Sequence, residues 1–241
     1  MRIEIKNNTE YDLFAARRIL SIIEKTVDSQ GHCSVALSGG NTPKDIYQAI
    51  VREHKDFDIN WRRVFFFWGD ERLVPAQDDD NNARMAYSYL LDHLPVPVFN
   101  IFPFRTELTA EEAAADMEEK LHNHFEVFST NAPDLVLLGL GSDGHTLSLF
   151  PHSYALKVHD QWVYGYYVND QLGYRLTLLP SLINNAGNTI FLVKGADKAE
   201  TVRKVLFGRK DIDTLPAQAI RPHNGKLEWI LDEAAAALIK K

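Results

Sequence analysis

Cysteine occurs once in the 241 residues, at Cys33, so no intrachain disulfide staples the fold and a reducing compartment is the expected home. The sequence has no run of about eighteen apolar residues, and its opening, MRIEIKNNTEYD, lacks the apolar core of a secretory leader. A cytoplasmic protein with no membrane association is therefore expected. Basic charge is also scarce. Lys and Arg total 26 against 33 Asp and Glu, a formal charge of −7, which argues against nucleic acid or an anionic membrane as a partner. Any anionic ligand has to be held by a local cluster of donors.

The usual signatures of metal and covalent chemistry are missing as well. The chain has no H-E-x-x-H, no paired-cysteine spacing, no G-x-S-x-G and no G-x-x-x-x-G-K-[ST], so no metal, nucleophile elbow or P-loop is expected. His122 and His124 stand at i, i+2 on an expected helix, a spacing that points their rings apart. Cys33 falls inside an apolar strand and reads as packing. No repeat or Pro/Gly/Ser linker divides the sequence, so one domain over residues 1–241 is expected.

What the sequence does have is a set of continuous apolar segments alternating with helical ones. CSVALSGG, RVFFFWGD, DLVLLGLG and NTIFLVKG read as buried strands, and WVYGYYV is strand-like. Residues 10–29 carry Leu13, Ala16, Leu20, Ile23 and Val27 at helical spacing, with Gly31 as the stop. TPKDIYQAIVREH, NNARMAYSYLLDHL, TAEEAAADMEEKLHNHFEVF, ADKAETVRKVLFG and the closing LDEAAAALIKK also read as helices. This alternation predicts an α/β fold: a doubly wound, mostly parallel sheet with helices on both faces. In such sheets ligands sit beyond the carboxyl ends of the strands. Three of those ends are chemically unusual.

The first is SGGNTPK, residues 38–44. Gly39 and Gly40 let a ligand approach the backbone, Thr42 is placed to cap a helix and Pro43 to begin it, an arrangement suited to a phosphate. The second is WGDERLVP, residues 68–75. Its Arg72 offers a planar fork for a phosphate or carboxylate, and its Asp70 is placed to orient a histidine or receive a sugar hydroxyl. Asp78, Asp79 and Asp80 read as a solvated run before a helix.

The third is GLGSDGHTLSLFP, residues 139–151. It contains a formal G-x-G-x-x-G in Gly139, Gly141 and Gly144, but Pro151 arrives too soon for the long helix that a dinucleotide site needs. The match reads as coincidental. What remains is a turn presenting Asp143 and His145 at a strand end, a pair suited to general-base chemistry near neutral pH.

In this order, SGGNTP, GDERLVP with Asn82 downstream and GLGSDGHTLSLFP resemble the signature segments of the 6-phosphogluconolactonase family. The likeness continues through RLTLLPSLINNA, FLVKGADKAETVRKVL and LEWILDEAAA and so spans most of the chain. The related glucosamine-6-phosphate deaminases share the fold and the D-G-H turn, but they carry a glutamate shortly after it, where this chain has Phe150. The resemblance implies hydrolysis of a sugar-phosphate lactone without metal or organic cofactor. It implies that Gly39, Gly40, Asn41 and Thr42 hold the phosphate with Arg72 and Lys198, with Arg175 near the phosphate or the sugar hydroxyls. His145 is then the base, oriented by Asp70 or Asp143. The chain departs from the family pattern at Asn41 and Asn81, where serine is usual, and at Leu147, where alanine is commoner. The alternatives are an amino-sugar-phosphate deaminase and a non-catalytic sugar-phosphate sensor. A monomer or small homo-oligomer is expected.

Overall fold

The structure is a computed structural model in which residues 1–239 are described. In chain order it runs β1 (Arg2–Lys6), α1 (Tyr11–Gln30), β2 (Cys33–Leu37), α2 (Asn41–Glu53), β3 (Val64–Trp68), β4 (Asp70–Arg72), α3 (Asn82–Tyr89) and α4 (Ala110–Phe128). It continues with β5 (Leu135–Leu138), β6 (Val163–Tyr167), β7 (Tyr174–Leu178), α5 (Pro180–Ile183), β8 (Asn188–Val193), α6 (Ala199–Phe207) and β9 (Lys226–Asp232). Short 3-10 turns fill several connections.

Six strands form one sheet in the order β1-β9-β8-β5-β2-β3, and every neighbouring pair is parallel. Every residue of β2 and β5 is buried, as expected of a sheet covered on both faces. The strand order reverses between β2 and β5, and the loops after these two strands diverge there. This is the crevice where open α/β sheets bind ligands. The two strands are clamped below the crevice, where Asp134 Oδ2 accepts hydrogen bonds from Ser34 N at 2.7 Å and Ser34 Oγ at 2.9 Å. Farther along the sheet, Phe191 and Trp229 stack at 3.9 Å on adjacent strands.

A second, three-stranded antiparallel sheet, β4-β7-β6, stands beside the crevice. Two of its strands, DER and YRLTL, carry no continuous apolar run and are not evident from hydrophobic pattern. The tail also departs from expectation. LDEAAAALIKK reads as a helix, but its first residues complete β9, because Leu231 pairs with both Ile5 and Val193. Residues 233–239 then form turns, and the last two residues of that segment lie outside the described ones. Asp232 closes the strand by accepting from Ala235 N at 2.6 Å and from Gly195 N at 3.1 Å.

Two local expectations are corrected. Leu13 is 45% exposed, and Tyr11 instead begins the buried stripe of α1, donating its hydroxyl to Ile230 O at 3.0 Å. Helix α2 begins at Asn41 with Gly40 as its N-cap, so Thr42 is not the cap and Pro43 lies inside the first turn. Proline is tolerated there because the first-turn N–H groups have no intrahelical acceptor. Cys33 is buried in β2. His122 and His124 separate as expected. His122 stacks on Trp162, while His124 is buried against Phe65 and Phe67, where burial pushes its pKa down to about 4.

Candidate active site

The loop after β2 turns sharply at Gly40, whose φ of 98° is left-handed backbone that favours glycine. No side chain caps α2, so the N–H groups of its first turn stay available to a ligand. Tyr47 anchors this loop from within α2, accepting from Ser38 N at 3.0 Å and donating to Ser38 O at 2.8 Å.

In the small sheet, the antiparallel register places Arg72 opposite Arg175. Like charges directly opposite are unfavourable unless something anionic sits near them. Arg175 donates to the carbonyls of Leu172 and Tyr174, and burial, then the charge of Arg72, lowers its pKa. Arg72 donates to Asp80 O at 2.7 Å and Asn82 Oδ1 at 3.2 Å. The Asp70 carboxylate accepts from Ser148 Oγ at 2.8 Å. Burial raises its pKa, against the pull of that hydrogen bond and of nearby Arg72, His145 and Arg175. Beside it, Glu71 is fully buried with a pKa pushed up to about 7, even though three backbone N–H groups donate to it.

The turn after β5 holds the histidine. Gly141 N donates to His145 O at 2.8 Å, and His145 Nδ1 lies 2.6 Å from Asp143 Oδ1. Gly141 makes this contact possible, since a Cβ there would stand 2.1 Å from His145 Nδ1 and 2.5 Å from Asp143 Oδ1. Burial opposes charge on Asp143, but hydrogen bonds and charge from His145 outweigh it and hold the pKa below the usual carboxylate value. In the neutral tautomer whose Nδ1 donates to Asp143, Nε2 is left with its lone pair. No long helix follows Gly144, so the G-x-G-x-x-G is not a dinucleotide fingerprint. Its middle glycine makes room for the histidine–aspartate contact. Phe150 packs on His145 with ring centroids 4.6 Å apart.

These parts meet around one cavity of about 540 Å³. Gly39, Gly40, Asn41, Thr42, Asp70, Arg72, His145, Arg175 and Lys198 all contribute to its walls. Asp143 does not. It sits behind His145, toward a neighbouring cleft of about 490 Å³. Of the two aspartates that sequence left as partners for the histidine, Asp143 makes the contact and Asp70 bonds Ser148 instead.

Sequence reasoning missed Lys194, which also reaches the cavity and pairs with Asp12 at 3.1 Å and Asp45 at 3.6 Å. Its signal was position, since it ends a buried strand. Four cationic side chains (Arg72, Arg175, Lys194 and Lys198) thus stand against two acidic ones, Asp70 and Asp197, in a chain that is acidic as a whole. Among the described residues, no cluster of His, Cys, Asp and Glu is arranged to hold a metal ion.

Comparison with known proteins identifies the family. Residues 7–229 match the protein family described as "Glucosamine-6-phosphate isomerases/6-phosphogluconolactonase". A 6-phosphogluconolactonase of Synechocystis sp. is 41% identical over 217 residues, covering 88% of this chain and 87% of the relative. The solved structure of 6-phosphogluconolactonase from Trypanosoma brucei is 31% identical, superposes with a TM-score of 0.86, and covers 99% of this chain and 98% of that one. A monomeric glucosamine-6-phosphate deaminase shares the fold with a TM-score of 0.82 at 20% identity, covering 99% of this chain and 100% of its own.

Proposed function

Because the chain belongs to the glucosamine-6-phosphate isomerase/6-phosphogluconolactonase family, we infer that it hydrolyses 6-phospho-D-glucono-1,5-lactone to 6-phospho-D-gluconate in the oxidative pentose phosphate pathway. The observation that carries this reading over deamination is Phe150. Its ring packs on His145, in the segment where the deaminase pattern carries a glutamate, and a phenyl ring cannot move a proton. Residues 1–241 act as one lactonase domain, in the cytosol, as a monomer or small homo-oligomer. Among the described residues no helix is long and apolar enough to cross a membrane.

The site residues take the following roles. The N–H groups of Gly39, Gly40, Asn41 and Thr42, with Arg72 and Lys198, hold the phosphate and so fix the lactone carbonyl relative to His145. His145 Nε2 takes a proton from water as the water oxygen attacks C1. Asp143 holds the ring in the required tautomer and stabilises the imidazolium. An arginine or backbone N–H groups stabilise the tetrahedral oxyanion, and Arg175 approaches the phosphate or the sugar hydroxyls. As the C1–ring oxygen bond breaks, the imidazolium returns its proton to the departing oxygen, and the new carboxyl group gives the water's remaining proton to solvent as the carboxylate is released. Asp70, freed from the histidine, accepts a sugar hydroxyl.

The test is a coupled assay on freshly generated lactone, with a dehydrogenase reporting 6-phosphogluconate and the spontaneous rate subtracted. A large acceleration is expected. No acceleration, or ammonia release from glucosamine 6-phosphate, overturns the reading.

A further inference from the structure

Asn82 is 4% exposed and lies at the first turn of α3, yet its side chain faces away from that helix toward the crevice. Its amide fills the place of a missing side chain. A Cβ built on Gly39 would stand 1.9 Å from Asn82 Oδ1, 2.3 Å from Cγ and 2.7 Å from Nδ2, and no atoms of any other residue lie closer. Gly39 is not among the residues with left-handed φ, so its backbone tolerates an ordinary side chain. Gly40 is the reverse case: its φ of 98° requires glycine, while the space where a methyl would stand is open. The first glycine of this pair is therefore required by Asn82, and the second by the turn.

The same amide reaches the small sheet. Its Oδ1 accepts from Arg72 Nη1 at 3.2 Å and its Nδ2 donates to Asp70 O at 3.0 Å. Its own backbone is held by Glu71, whose Oε1 accepts from Asn82 N at 2.7 Å and from Arg72 N at 2.9 Å, while Oε2 accepts from Ala83 N at 2.8 Å. A fully buried carboxylate whose partners are three N–H groups on β4 and α3 acts as a clamp between those elements.

We propose that Asn82, held in place by Glu71, is a positioning residue that sets the Arg72 guanidinium against the Gly39 edge of the phosphate loop. This rests on reading residues 39–42 and Arg72 as the phosphate site, and it deepens that reading. The two halves of that site come from different sheets, and one amide spans the junction. Asn82 acts mainly through Arg72 and Gly39, so its effect is greatest on phosphate-bearing ligands.

The test is a double-mutant cycle on the full chain, with Gly39→Ala, Asn82→Ala and the double variant. It is read in calorimetric affinity for 6-phosphogluconate and in kcat and KM for the lactone. Each single substitution is expected to weaken affinity and raise KM about tenfold, the scale of one hydrogen bond to a charged group, with kcat changed less than about threefold. In the Asn82→Ala background, Gly39→Ala is expected to add less than about twofold, because its methyl then meets no amide. Hydrolysis of unphosphorylated glucono-1,5-lactone is expected to lose less than hydrolysis of the phosphorylated lactone in Asn82→Ala. Additive losses across the cycle, or equal losses on both lactones, overturn the proposal. Coupling in 6-phosphogluconate binding by a protein that hydrolyses nothing would instead sink the lactonase reading and leave the coupling standing.

Discussion

In the six-stranded sheet, the central strands β2, β5 and β8 are buried along nearly their whole length, and the cavity is reached by the loops beyond their ends and by Leu192 and Val193 at the end of β8. In the three-stranded sheet the strands themselves carry the charges, with Asp70, Arg72 and Arg175 on the cavity wall. The central strands of the large sheet draw their stability from continuous apolar contact and carry no charge. The small sheet has a strand of only three residues, β4, and a cross-strand pair of like charges, a poor choice for stability and a good one for gripping an anion. Stability and charge placement are thus assigned to different sheets, joined at β3 and β4 by the single residue Gly69.

The hardest test of that division lies beyond the end of β5, where the large sheet supplies the proposed base. His145→Asn is expected to lower kcat by roughly 10²–10⁴ while leaving 6-phosphogluconate affinity and thermal stability nearly intact. Asparagine keeps a hydrogen bond but cannot accept the proton, so a near-normal rate would reduce His145 to a turn residue.

The next effect contrasts the sheets directly. Leu137→Ala, in the fully buried β5, is expected to cost about 2–5 kcal/mol of unfolding free energy in denaturant titrations, with kcat/KM of the folded protein preserved. Arg175→Ala should do the opposite, weakening 6-phosphogluconate binding by about 1.5–3 kcal/mol while shifting stability by less than about 0.5 kcal/mol. Similar destabilisation by both would erase the distinction.

The smallest effect concerns the pair behind the histidine. Asp143 is half exposed, so solvent screening limits its stabilising contribution to under about 1 kcal/mol. Its folded pKa is depressed, so this contribution is present above the carboxylate's ordinary range and lost as pH falls through the lowered value. Asp143→Asn should therefore narrow the stability gap to wild type as the solution is acidified, and a gap that widens instead would contradict the assigned contact.

Legibility in the sequence follows the same division. Four strands of the large sheet announce themselves in runs such as VFFFW and LVLL, and the three unusual loops could be located from those runs alone, whereas the edge strand β1 and its neighbour β9, which mix charged with apolar residues, do not. The small sheet is nearly silent, because DER reads as a charged loop and YRLTL owes its place to pairing with β4 and β6. The tail misleads because a run of alanines has high helix propensity, whereas Leu231 gains more by pairing between β1 and β8. The choice between Asp70 and Asp143 depended on where Ser148 would lie, which no spacing encodes. Asn82 stood out as part of a pattern, but its contact with Gly39 bridges parts of the chain that only the fold brings together.

The clamp between Ser34 and Asp134 joins residues 100 positions apart at the centre of the sheet. During synthesis, β2 and the loop that follows it leave the ribosome well before the strand that will cover their open edge. At roughly 5–20 residues per second, that edge waits about 5–20 s for its partner. The crevice between the two strands thus stays open while the intervening 100 positions are made, and such non-local pairing is slow even after the chain is complete. Substitutions that weaken this central clamp should reduce the yield of folded protein in cells more than they reduce the stability of molecules that have already folded.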